Sequence, residues 1–421
     1  MKNCLSECVT VAKRELDVYL DITGDPQLVG RAWFSQRRGG PITTVFAYAP
    51  TFIAQPEVLS IDPNLSLVTG NQYIEGLPGA FQDCAPDRWG RNLISKRHRL
   101  TADTENVEKP ASLTDVDFLL GVSDSTRQGA LRFANPTTGE FEHPRNEIPK
   151  LVELPRLLSA SEDLVDNSNE FAAVKALLDA GSGSLGGARP KASVMGADGE
   201  LFVAKFPHRS DEWNVMAWEC TALDLAEIAG ITVPERELVS VSDNQQVLLL
   251  RRFDRASAGS RLPYLSAMSM LRASDGEWHD YIEIADAITD FGSRTTSDLT
   301  ELFRRAAFSV AIHNTDDHLR NHGFLAAAGG WTLSPVFDIN PNPDTTASRV
   351  TGIAGATSRP EETDGLAQLV DACRLKADDA ATIQSDIHQA VAQWRTVATT
   401  RGISGSELER FAPVLDAPPT K

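Results

Sequence analysis

The chain has 421 residues, 42% hydrophobic and 23% charged, with a formal charge of −18 from 40 basic and 58 acidic side chains. That length predicts two or three domains, and the composition excludes wholesale disorder. The acidic excess repels nucleic acid, so no broad DNA-binding face is expected, whereas a basic protein partner would be attracted. Five scattered cysteines without a Cys-x-x-Cys pair argue against a disulfide framework and a structural zinc site, and suit a reducing cytoplasm. No apolar stretch of about 18 residues occurs and the first residues lack a signal-peptide core, so no membrane association is expected.

Residues 16–60 predict short strands between turn signals such as Gly24-Asp25-Pro26 and Gly39-Gly40-Pro41, followed by more helical sequence around Pro86-Asp87-Arg88-Trp89. A polar stretch near 135–150 predicts a linker or surface loop and the first boundary. Residues 170–179 suit a helix that ends at a glycine-rich loop, 181–191. Two apolar strands follow around Gly196-Ala197-Asp198-Gly199, an Asp-Gly hairpin signal. A helix with Val215, Trp218, Ala222, Leu225 and Ala229 on one face comes next, with Ser210 or Asp211 expected to cap it. The near-continuous apolar run 247–253 predicts a buried strand. Beyond about 262 the pattern is mostly helical, interrupted by the polar loop 314–322 and a hairpin about Gly329-Gly330 that ends at Asp338.

Three features carry chemistry. In the polar loop, Asp316 stands five residues before Asn321, and Asp338 follows the hairpin. That order suits a phosphotransfer site, with Asp316 accepting a hydroxyl proton and Asn321 and Asp338 holding a metal ion. A solvated acidic turn has the same letters. His313, Asp316, Asp317, His318 and His322 are also all metal-ligand types, so a metal-dependent hydrolase is a rival, although their spacing matches no zinc motif. Second, the glycines at 181, 183, 186 and 187 permit backbone N–H groups to converge on phosphate oxygens, although no Walker A lysine follows. Third, Lys205 lies in an otherwise apolar strand, where an amine is costly unless it meets an anion. Glu219 on the next helix is the candidate partner, and Arg251, Arg252 and Phe253 form a candidate hinge between two lobes.

Several segments together resemble the HipA family of bacterial toxin kinases. They are Gly-Ser-Leu-Gly-Gly-Ala-Arg-Pro-Lys (183–191), Val-Ala-Lys-Phe-Pro (203–207), Arg-Phe-Asp-Arg (252–255), Thr-Asp-Asp-His-Leu-Arg-Asn (315–321), Pro-Val-Phe-Asp (335–338) and, nearer the start, residues 79–91. The resemblance implies an α+β, diverged protein-kinase-like two-lobe fold. Residues 1–150 would form a β-rich N-terminal subdomain with helices, 151–260 the N-lobe-like part, and 261–421 the helical C-lobe with the catalytic loop. It implies a Ser/Thr protein kinase using ATP and Mg2+, acting on a protein of translation such as an aminoacyl-tRNA synthetase. Its partner would be a HipB-like helix-turn-helix antitoxin, with DNA met mainly through that antitoxin.

By position, the resemblance makes Asp316 the base and gives Asn321 and Asp338 the metal. Gly186, Gly187, Ala188, Arg189, Pro190, Lys191 and Lys205 would bind phosphate, and Arg251, Arg252 and Phe253 would form the hinge. His318, Leu319, Arg320, Asn321, Phe337 and Asp338 would line the nucleotide, and Ser184 would be the self-phosphorylated, inactivating serine. Asp317 stands where the family often has glycine, which leaves Asp316 and Asp317 to be told apart. A small-molecule kinase and a silent antitoxin-binding or repressor scaffold are the other readings.

Overall fold

The structure, a computed structural model, describes residues 12–36, 40–104, 112–142, 148–165, 170–182, 189–242, 245–256 and 260–416. In the first section, strands β1 (Ala12–Leu20), β2 (Gln27–Gln36), β3 (Ile42–Tyr48), β4 (Gln72–Glu75) and β5 (Leu131–Ala134) pair antiparallel in the order β4-β3-β2-β1-β5. Alternation sets which face is covered: Ile42, Thr44, Phe46 and Tyr48 are buried and the residues between them are not. Helices α1 (Pro50–Ile53), α2 (Gly79–Cys84), α3 (Arg88–Thr104) and α4 (Asp115–Leu120) accompany this sheet, and Phe81 of α2 meets Phe34, Phe46 and Phe133.

The second sheet is built from β6 (Lys191–Met195), β7 (Leu201–Lys205), β8 (Arg236–Ser242) and β9 (Gln245–Arg251), ordered β6-β7-β9-β8. The apolar run read from 247 is the interior strand β9, and both its faces are covered. Val247 and Leu249 pack with Leu154, Leu157 and Leu158 of α5 (Leu154–Val165), while Leu248 and Leu250 join the larger core that includes α7 (Val215–Ile228). Burial on both sides removes the need for alternation and gives the unbroken Val-Leu-Leu-Leu. The neighbouring helix α6 (Glu170–Asp179) packs through Val174 and Leu177 against Trp89, Leu93 and Ile94 of α3. Helix α7 is capped by Asn214, whose side chain accepts the Ala217 N–H at 3.1 Å. The expected caps Ser210 and Asp211 lie too early in the chain, and Asp211 instead accepts from the His208 N–H at 2.9 Å.

The rest is mostly helical: β10 (Tyr264–Ser266), α8 (Ala267–Met270), β11 (His279–Asp280), α9 (Tyr281–Phe291), α10 (Thr295–Ala311), β12 (Gly323–Ala327), β13 (Gly330–Leu333), β14 (Thr351–Gly352), α11 (Glu362–Ala372), α12 (Ala377–Val391), α13 (Trp394–Thr400) and α14 (Gly405–Leu415). Small sheets β10-β12-β13 and β11-β14 flank the polar loop. Trp218 of α7 stacks on Phe411 of α14 at 3.9 Å between ring centroids. Among the described residues no helix is long and apolar enough to cross a membrane.

Candidate active site

Strand parity explains why two lysines face one cleft. Ala192, Val194, Ala204 and Phe206 pack toward α5, so the odd-numbered positions of the hairpin turn the other way, toward α7. Lys191 and Lys205 are direct cross-strand partners on that side, and both are buried. The Lys205 amine lies 2.5 Å from Glu219 Oε1 of α7 and 2.9 Å from Asp338 Oδ1. Burial works against its charge, but the carboxylates of Asp338 and Glu219 outweigh burial and hold the amine cationic. Lys205 in turn holds the Asp338 carboxyl well below the usual carboxylate range. Asp338 adopts φ +58°, a left-handed conformation that costs a non-glycine residue energy. Its side chain remains 36% exposed, so the carboxylate faces both the lysine and open space.

The polar loop separates its two adjacent acids. Asp317 is buried, accepting from the Tyr281 hydroxyl and from Ser309 Oγ at 3.1 Å, with His322 Nε2 3.0 Å from its other oxygen. Burial alone would raise its pKa, but His322 and these partners hold it well below the ordinary range. Asp316 is exposed. Partial desolvation raises its pKa, with the charges of Asp338 and Asp317 adding to the rise and His318 opposing it. Asn321, at the end of the 3-10 turn Leu319–Asn321, donates to the Asp316 carbonyl at 3.2 Å, which closes the loop. Arg349 anchors the loop from beneath, donating at 2.6 Å to Glu362 and at 3.1 Å to both Ser309 Oγ and the Asn314 carbonyl.

The five loop residues of the metal-hydrolase reading do not converge. His313 bonds the Asp344 carbonyl, Asp317 and His322 face Tyr281, and Asp316 points outward. Other expected site residues divide. Phe253 and Phe337 meet at 5.5 Å between ring centroids, next to Asp338. The guanidinium of Arg252 is buried on Asp254, at 2.8 and 2.6 Å, and on the Thr126 carbonyl at 2.6 Å. That of Arg251 pairs with Glu200 and Glu235. Neither arginine side chain faces the cleft, and both backbone N–H groups are bonded within the sheet, to the Glu235 and Leu201 carbonyls at 2.8 and 2.9 Å. Leu319 packs in the main core and Arg320 pairs with Asp275. Arg189 is held by Asp211 at 2.6 Å, and the Pro190 carbonyl accepts the Phe206 N–H at 3.0 Å. Ser184, Gly186, Gly187 and Ala188 lie outside the described residues.

Two groups retain unused hydrogen-bonding capacity. Among the described residues the buried His318 Nδ1 has no hydrogen-bond partner. Lys191 forms an ion pair with the Asp87 carboxylate at 3.5 Å, the outer limit of a hydrogen bond. An amine, an imidazole nitrogen, an amide and a half-exposed carboxylate around one cleft fit a nucleotide phosphate and a divalent cation. Asp87, Tyr281 and Arg349 were not found by sequence reasoning. Asp87 stood inside a motif but nothing local links it to a lysine 104 positions later.

The model of the HipA-like C-terminal domain family matches residues 183–394. The chain belongs to the HipA family. Toxin YjjJ of Escherichia coli (strain K12) is 25% identical over 299 residues, which cover 65% of this chain and 63% of that protein. The match therefore spans less than two thirds of that relative's length. Among solved structures, HipA from the Shewanella oneidensis MR-1 toxin–antitoxin complex with HipB and operator DNA aligns with TM-score 0.64 at 13% identity, over 95% of both chains. The Helicobacter pylori proinflammatory kinase CtkA aligns more loosely, with TM-score 0.35 at 15% identity over 52% of this chain and 93% of that one. The HipA fold is the α+β, diverged protein-kinase-like two-lobe arrangement expected from the sequence.

Proposed function

We propose that this HipA-family chain is an ATP- and magnesium-dependent protein kinase that transfers the γ-phosphoryl group to a serine or threonine hydroxyl. The observation that carries this reading is the Glu219–Lys205–Asp338 ion-pair chain beside the exposed carboxylate of Asp316. Lys205 and Lys191 would receive phosphate oxygens, and Asn321 and Asp338 would hold magnesium, which when bound neutralises charge between the phosphates. Asp316 accepts the acceptor hydroxyl's proton. Its raised pKa, caused first by partial desolvation, makes it a better base than an ordinary exposed aspartate. Asp317 positions the loop and does not reach the cleft. Phe253 and Phe337 offer an apolar wall for the base, with His318 nearby.

Further parts of the reading rest on family likeness. A protein of translation is the proposed substrate, and a HipB-like antitoxin the proposed partner, through which DNA is met. Self-phosphorylation at Ser184 would place about −1.5 to −2 of charge in the segment leading to Lys191, opposing nucleotide phosphates.

The test is incubation of the full chain with ATP and magnesium, read by intact mass and phosphopeptide mapping. A phosphate on Ser184 is expected, and Asp316→Ala is expected to slow its appearance by about 10²- to 10⁴-fold. An unchanged mass of the wild-type chain, with no transfer to any added protein, would overturn the proposal. Retained transfer in Asp316→Ala alongside loss in a folded Asp317→Ala would reassign the base.

A further inference from the structure

Like charges directly opposite on paired strands repel, so Lys191 and Lys205 each need an anion. Lys205 has Glu219 and Asp338. Lys191, buried to 3% exposure, has Asp87. That carboxylate comes from the start of α3, and its Oδ1 accepts the Gly90 N–H at 2.9 Å while Oδ2 faces the amine. The same helix packs through Trp89, Leu93 and Ile94 against α6, which ends two residues before Gly181. The N-terminal section thus touches the following section twice, through the α3 face on α6 and through the Asp87 carboxylate on Lys191.

We propose that Asp87 is a positioning residue of the nucleotide site, keeping the Lys191 amine charged and turned toward the phosphates. The inference rests on the phosphotransfer reading above. The alternative, that Asp87 merely competes with phosphate for the lysine, predicts tighter nucleotide binding when it is neutralised. Three features favour positioning. The 3.5 Å separation leaves most of the amine's hydrogen-bonding capacity free. Burial works against Asp87's own charge, but the Gly90 N–H fixes one oxygen at the helix N-terminus and so aims the other at the amine. Without it, Lys191 would be buried opposite Lys205 with no carboxylate of the described residues at ion-pair distance, and its amine would turn away or lose its proton.

Asparagine and serine cap helices about as well as aspartate, so Asp87→Asn and Asp87→Ser remove the charge while keeping the cap. ATP affinity with magnesium is measured by calorimetry on the full chain for wild type, both variants, Lys191→Met and Asp87→Asn/Lys191→Met. Both Asp87 variants are expected to bind ATP about tenfold more weakly, as befits one lost charge-assisted contact. Their nucleotide-free melting midpoints should fall, because the buried Lys191 loses its partner, while the chain still folds, and KM for ATP should rise more than kcat falls. In the Lys191→Met background Asp87→Asn should add little. Binding by both Asp87 variants as tight as wild type or tighter, or losses that multiply in the double variant, would overturn the role of Asp87. In that case weak binding by Lys191→Met would leave the phosphotransfer reading standing. No ATP binding by the wild-type chain would sink both.

Discussion

Asp316 and Asp317 are neighbours with the same side chain and opposite environments. The buried one has its charge stabilised by a hydroxyl pair and His322, and the exposed one is left available to a substrate. Asp83 shows the same principle with the opposite sign. Its carboxylate accepts from Ser266 N–H and Oγ, each at 2.7 Å, yet burial pushes its pKa up to about 6. Between the ordinary carboxylate value of about 4 and that value, the unfolded chain has released a proton that the folded chain retains. Asp83's contribution to stability therefore falls as pH rises through this window and stays lower above it. Asparagine cannot ionise, so Asp83→Asn is expected to gain stability relative to wild type between about pH 4 and about pH 7. Urea unfolding of both proteins across that range checks this. A pH-independent difference would mean that the carboxylate is not perturbed.

At the scale of elements, the polar loop depends on a segment far along the chain. Arg349 and Glu362 are buried together, with side-chain exposures of 1% and 3%, and the arginine also holds Ser309 and the Asn314 carbonyl. Arg349→Met strands the glutamate, and breaking a buried pair from one side costs about 3–5 kcal/mol. Denaturant unfolding should register that loss, and protease cleavage near residues 314–322 should quicken; unchanged stability would show the pair to be dispensable. This is also where legibility ended. The spacing of Asp316 and Asn321, the Asp-Gly hairpin and the buried run of β9 are local patterns, so sequence alone revealed them. Lys205 was legible because an amine in an apolar strand needs an anion, and Glu219 lay one helix away. The seat of the Arg252 side chain was not legible, because a charge at the end of an apolar strand reads alike whether it meets a ligand or a buried carboxylate. Asp87 and Arg349 act across long stretches of chain, and no local pattern reports such contacts.

For the whole molecule, the decisive junction is the Arg-Phe-Asp-Arg segment. Asp254 accepts from Arg252, from Arg255 at 2.7 Å and from the Gly129 N–H at 2.8 Å, while the two arginines cap the Thr126 and Arg127 carbonyls. Two cations flank this buried acid and hold it ionised, its pKa well below the ordinary range despite burial. Asp254→Ala leaves two buried guanidiniums without their carboxylate, at a cost of about 3–5 kcal/mol. The expected readout is lower urea resistance with earlier proteolytic release of the first 130 or so residues, counted from Gly129. Unfolding like wild type would show that the sections are joined by their apolar contacts alone. The main core cluster does run from the first sheet through α7 into the last helices, so ionic and apolar ties act on the same boundary.

The register of the β6–β7 hairpin has a consequence for how such chains can change over time. Ala192 and Ala204 sit under α5 while Lys191 and Lys205 look into the cleft, and only the parity of the count between them keeps it so. Loss of one residue within either strand would thrust an amine into the α5 layer and lay a methyl group in the cleft. Drift in length is thus confined to the turn at Gly196–Gly199, where a bulge can absorb it. The strands themselves can vary in letter but not in number.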